Sequence, residues 1–195
     1  MEELGRTIFN NDTRRIVKLS EVDVFSVKDF CEECNKLGLQ NNKSLERMKW
    51  DTATWFAAVD ESKIYSIAGY HKLNIDEHSY RVLFRGAQLP GYNPNTFSKD
   101  VYASVVHWTY LLEAQINDIL KQDPQAKLYI STNIDKNNDA PSSHKLTSMM
   151  TPLLIKRKLL SLEYENIDLY FTKQNLYRVN VEEYFKQRSA YFDSK

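Results

Sequence analysis

Four histidines, His71, His78, His107 and His144, are the side chains here that titrate near neutral pH and can move a proton there. They are scattered, and no two have the spacing of a metal-ligand pair. The two cysteines stand close together in Cys31-Glu32-Glu33-Cys34. A redox pair of this spacing works by lowering one thiol pKa at a helix N-terminus, and two intervening glutamates oppose that. No second Cys/His pair completes a zinc site, and both cysteines fall on the apolar face of a predicted helix, where they read as small buried residues. Lys156-Arg157-Lys158 is a short basic run that reads as a solvated helix face. There is no Walker loop and no nucleophile elbow.

The elements that must position these groups follow from the apolar spacing. Residues 15–19 alternate as a first strand. Ser20, or Ser26 at the head of Ser26-Val27-Lys28-Asp29, offers a cap for a helix carrying Val24, Val27, Phe30, Cys31, Cys34 and Leu37 and ending at Gly38. A polar loop starts at Asn41, and Ser44 opens a short second helix to Trp50. Three strand-like runs come next, at 55–59, 64–73 and 80–88. The first, Trp55-Phe56-Ala57-Ala58-Val59, is continuously apolar, as a strand buried on both faces would be. Short polar turns join the three into an antiparallel meander.

After a loop at 89–98, apolar residues at Val105, Trp108, Leu112, Ile116 and Ile119 mark a long amphipathic helix from Val101 that stops before Pro124. Residues 127–132 form a strand and 133–141 a loop. Ser142 or Ser143 caps a helix reaching about Leu160, which Pro152 kinks or restarts. Residues 164–171 and 177–181 make a hairpin, followed by a charged tail after Tyr184.

A chain of 195 residues without repeat, low-complexity tract or Gly/Ser linker fits one domain. Hydrophobic residues make up 42% and charged residues 27%, an ordinary globular balance. Lys+Arg 26 against Asp+Glu 26 leaves no net charge, which lowers the weight of nucleic-acid or anionic-membrane binding. No apolar run approaches the roughly 20 residues that span a bilayer. The start, Met1-Glu2-Glu3-Leu4-Gly5-Arg6, lacks the basic and apolar regions of a secretory signal, so a cytoplasmic protein is expected. Most of the 12 tyrosines are expected in the core or in cross-strand pairs.

The order strand, two helices, three strands, helix, strand, helix, two strands resembles the GNAT acetyltransferase superfamily over nearly the whole chain. The segments Arg85-Gly86-Ala87-Gln88-Leu89-Pro90 and Ser131-Thr132-Asn133-Ile134-Asp135 are similar to acetyltransferase-like proteins of marine tailed phages. The resemblance implies an α/β fold with a central, mixed but mostly antiparallel sheet flanked by helices. It implies acetyl-CoA as co-substrate, with no metal. In that family the fourth strand splays from the fifth, and the pantetheine arm pairs with the bared backbone. Here that strand is 80–88, with Leu83, Phe84, Arg85 and Gln88 as cofactor-binding residues. The pyrophosphate would sit in the following loop, where free N–H groups at a helix start favour anions. The family's loop pattern, Gln or Arg, two residues, Gly, one residue, Gly or Ala, is met in part by Gln88-Leu89-Pro90-Gly91-Tyr92-Asn93. Asn93 replaces the small third residue, and an ordinary connector explains the segment equally well. Asn133 falls where the family places a contact to the pantetheine arm.

For direct transfer the resemblance implies a base for the amine and an acid for the departing thiolate. The run 80–88 lacks the carboxylate and 142–160 lacks the tyrosine that the family often uses. His71 and His144 are the candidates left for proton transfer. The acceptor, a small-molecule or peptide amine, would enter near 41–50 and 164–178. A second reading keeps the scaffold without turnover, as a binding or structural module. In it Tyr164, Tyr170, Tyr177, Tyr184 and Tyr191 would line a homodimer face.

Overall fold

The structure is a computed structural model that describes residues 14–36, 53–60, 63–82, 87–88, 101–134, 151–169 and 172–193. It has a mixed α/β architecture in which a mostly antiparallel sheet is flanked by helices. The chain divides into two units, residues 1–74 with 82–125 and residues 75–81 with 126–195.

In the first unit, strands β1 (Arg14–Lys18), β2 (Ala53–Asp60) and β3 (Lys63–Lys72) form consecutive antiparallel pairs. Strand β2 is the continuously apolar run, and Trp55 through Val59 are all buried, as a strand covered on both faces requires. Helix α1 (Val24–Lys36) sets Phe30 and Cys34 into a cluster with Trp55, Ala57, Val59 and Ile67, the residues of one sheet face. The long helix α2 (Val101–Gln122) packs against β1, β2 and β3. It bonds to Tyr70, which the strand alternation puts on the opposite face. Gly69 is required by this packing: a Cβ there would lie 2.5 Å from the Thr54 carbonyl oxygen and 2.9 Å from the Trp55 ring.

The cap of α1 is neither Ser20 nor Ser26. Asp23 takes the N-cap position, its Oδ1 accepting from the Ser26 N–H at 2.9 Å and its Oδ2 from the Ser26 hydroxyl. Residues 19–21 form a short 3₁₀ turn instead. These bonds to Ser26 hold the Asp23 carboxyl below its ordinary range. Cys34 is buried, and desolvation pushes its thiol up to about 11, as expected of a core cysteine rather than a redox one.

In the second unit, strand β6 (Lys127–Asn133) runs parallel to β4 (Ser79–Val82) on one side and antiparallel to β8 (Thr172–Val179) on the other. Strand β7 (Leu160–Leu169) pairs with β8 as an antiparallel hairpin; both strands begin earlier than the expected 164–171 and 177–181, and each ends two residues sooner. The turn into β4 is tied down by Asp76. Its Oδ1 accepts from the His78 N–H and the Ser79 hydroxyl, and its Oδ2 from Lys127 at 2.9 Å. The Lys127 and Ser79 bonds pull its carboxyl down to about 2.

Two expectations are corrected here. The helix α3 (Thr151–Lys156) ends well before Leu160. Lys158 adopts φ 60, and the Lys158 and Leu159 N–H groups turn back to the Ile155 and Leu154 carbonyls, a Schellman stop. The basic run is thus a helix end, where positive charge favours the dipole. The charged tail is a helix, α4 (Val181–Asp193), capped by the Asn180 Oδ1 accepting from the Glu183 N–H at 3.0 Å. The expected helix at 44–50 lies outside the described residues.

Candidate functional site

The resemblance demands a gap between 80–88 and 127–132, and the two units bear on it separately. In the second unit β4 pairs with β6 at three positions, Ser79 with Lys127, Tyr80 with Leu128 and Arg81 with Tyr129. Strand β6 continues from Ile130 to Asn133, paired there with β8. In the first unit the next described piece of the expected strand, β5 (Ala87–Gln88), pairs with β3, Gln88 opposite Ser66. Among the described residues, then, the two segments pair at 79–81 with 127–129, and Ala87–Gln88 pairs with β3.

Beyond the paired stretch, Ser131 carries a buried Oγ with no hydrogen-bond partner among the described residues. A buried hydroxyl without a partner is costly, so this atom asks for one.

His71 is half-buried on β3 opposite Ala53, its Nδ1 3.0 Å from the Lys72 carbonyl oxygen. It lies five residues along β3 from Ser66, the partner of Gln88, or roughly 16 Å of extended chain. The structure does not bring those two together. Asn133 pairs with Gln174 at the end of β6. His144, Leu83, Phe84, Arg85, Gly91, Tyr92 and Asn93 lie outside the described residues. Of the tyrosines of the dimer reading, Tyr177 and Tyr184 are buried in the single chain and Tyr164 is half-buried, while Tyr170 and the Tyr191 side chain lie outside the described residues.

A polar cluster absent from the sequence reading occupies one face of the second unit. Tyr129 of β6 is fully buried and donates its hydroxyl proton to the Glu163 Oε1 at 2.8 Å. Arg178, its register partner on β8, lies with its guanidinium carbon 5.5 Å from the ring centroid and one nitrogen at a long 3.4 Å from the hydroxyl oxygen. The Tyr164 ring sits 6.0 Å away, tilted. Burial first, then the bond to Glu163, pushes the Tyr129 phenol up to about 12, so it stays a neutral donor.

The geometry of the cluster rests on a β-bulge. Leu162 pairs with Tyr177 and Tyr164 with Leu176, leaving Glu163 as an extra residue on β7. In such a bulge two successive residues oppose one on the partner strand. That is how Glu163 and Tyr164, adjacent in sequence, both reach Tyr129. The sequence reading began the hairpin at Tyr164, one residue too late to include Glu163.

No protein-family model and no curated protein matches the chain. Solved structures do. A GNAT-family acetyltransferase candidate from Desulfovibrio desulfuricans superposes with TM-score 0.52 at 12% identity, over 85% of this chain and 98% of its own. A probable acetyltransferase from Staphylococcus epidermidis reaches 0.50 at 11%, over 85% and 97%. An aminoglycoside 6′-N-acetyltransferase complexed with coenzyme A reaches 0.50 at 9%, over 84% and 94%. Identities this low speak to architecture alone, and on that the chain is clear: it has the GNAT fold.

Proposed function

We propose that the chain is an N-acetyltransferase that moves an acetyl group from acetyl-CoA to an amine by direct transfer. The observation that carries this reading is the short β4–β6 pairing, three residues long, followed on β6 by the buried Ser131 hydroxyl, which has no partner among the described residues. A parallel pair that closes at one end and leaves an unmet polar atom further along fits an extended amide-bearing arm. The solved neighbour that holds coenzyme A supports the same choice of co-substrate.

In this reading the main chain of 83–88 and the Ser131 hydroxyl meet the arm, and Asn133 lies near its end. Gln88, Gly91, Tyr92 and Asn93 receive the pyrophosphate. When bound, acetyl-CoA supplies an activated thioester carbonyl. The protein's part is to hold the amine in line with it and to carry a proton from the amine, with His71 and His144 as the imidazoles suited to that. The acceptor is a small-molecule or peptide amine, the setting cytoplasmic, and no metal takes part. The phage setting indicated by 85–90 and 131–135 belongs to the same proposal and rests on those residues alone.

Calorimetric titration with acetyl-CoA tests the reading: saturable heat with a matching thermal shift is expected, and neither at millimolar cofactor would overturn it. A scaffold without turnover is the second reading, favoured by the lack of any carboxylate on β4, whose residues are Ser79, Tyr80, Arg81 and Val82. Saturable cofactor binding without thiol release across a panel of amines separates the two.

A further inference from the structure

We infer that Glu163 and Arg178, held on either side of the Tyr129 hydroxyl, form a binding site for a small zwitterion, a molecule with a free ammonium and a free carboxylate such as an α-amino acid. The inference deepens the acetyltransferase reading by naming its acceptor class, and to that extent it rests on it.

Arg178 and Glu163 carry charges that no described ion pair meets. Arg178 carries five N–H donors in a planar fork suited to carboxylate. Its contacts among the described residues are the face of Tyr129 and the one long bond to the hydroxyl oxygen, with no carboxylate in ion-pairing reach. Glu163 is exposed, and its one described bond is the proton it accepts from Tyr129. The two opposite charges share one phenol oxygen and do not pair with each other. A nearby cation, Lys127, is already committed to Asp76 at 2.9 Å, so it leaves Glu163 free.

A second buried tyrosine, in the first unit, also meets a carboxylate. Tyr70 donates to Asp118 at 2.8 Å, and there Lys18 closes the set on the second carboxylate oxygen at 2.7 Å. That network is complete without a ligand. The Tyr129 cluster has both charges, the same 2.8 Å phenol bond and no closure. The neutral phenol adds a fixed polarity, since it can give its proton only towards Glu163 and accept only from Arg178. The bulge that sends Glu163 to this face is the kind of local device found where a side chain is re-aimed. An ammonium on Glu163 and a carboxylate on Arg178 would complete both sets.

The test is a titration followed by nuclear magnetic resonance at the Arg178 Nε–Hε signal. The probes are three pools at millimolar concentration: free L-α-amino acids, their C-terminal amides, and their N-acetyl forms. The free pool is expected to move the signal, with the amide and N-acetyl pools weaker by on the order of tenfold or more, the scale of one lost charge-assisted hydrogen bond. E163Q and R178Q should each remove the preference while circular dichroism stays unchanged, and R178K should restore it only in part. Equal response to all three pools, no response to any, or a preference that survives both substitutions would overturn the site. Coenzyme A is titrated separately on the wild-type chain. Its failure with amino-acid binding intact removes the transferase reading and leaves the site, and the reverse removes the site alone.

Discussion

Two tyrosines buried in the two units make the same first bond and then part company. Tyr70 and Tyr129 each lie 2.8 Å from a carboxylate oxygen. Around Tyr70 everything is matched: Lys18 takes one Asp118 oxygen, Gln122 donates to the other and to the phenol at 3.1 Å. Around Tyr129 the carboxylate faces water and the guanidinium lies on the ring. A closed polar set rigidifies a core. An open one, built from equally specific parts, keeps its capacity for something that arrives later.

The largest effect should come from breaking the closed set. D118A removes at once the acceptor shared by the Lys18 ammonium, the Tyr70 hydroxyl and the Gln122 amide, and urea unfolding should show a loss of about 2–3 kcal/mol. Next, Y70F should cost about 1–2 kcal/mol, whereas Y129F should cost about 1 kcal/mol or less, because exposed Glu163 and half-buried Arg178 can turn to water. Equal costs for the two phenols would erase the distinction between the clusters. Smaller again, E163Q should change stability by about 0.5 kcal/mol or less while abolishing the preference for zwitterions.

The mildest test at neutral pH is D76N, which acts on the turn that leads into β4. The Asp76 carboxyl is depressed, so its stabilisation is present above the ordinary value of 3.8 and fades as pH falls towards about 2. Wild type should lose stability across that window, and D76N should show a flatter acid limb in the same circular dichroism titration.

Much of the scaffold was legible before any coordinates. The spacing of Leu112, Ile116 and Ile119 marks α2, and all three are buried. The unbroken apolar run of β2 states that both its faces are covered. The C-terminal helix escaped because, among its described side chains, Tyr184 alone is buried, so periodicity is weak there. The signal was instead Asn180 three residues before Glu183, a cap spacing. The end of α3 was hidden for a similar reason: its left-handed stop falls on Lys158, where glycine is the usual marker.

The Tyr129 cluster was not legible, and the reason is physical. Its members come from three strands, and Glu163 joins them only through a register slip. Registers are properties of strand pairs, which local spacing in one strand cannot encode. By contrast, the carboxylate sought on 80–88 is absent from the sequence itself. The carboxylate bonded to the buried Tyr129 phenol came instead from the hairpin that the acceptor was expected to approach.

The bulge at Glu163 also sets what a single deletion would do. Removing that one codon would bring Leu162 and Tyr164 into successive rungs opposite Tyr177 and Leu176, leaving only the second irregularity, between Tyr164 and Ile167, in the ladder. The strand pairing would be kept, but the acidic half of the grip would be gone. One residue of chain length, rather than any change of chemistry, separates a capturing surface from a plain sheet.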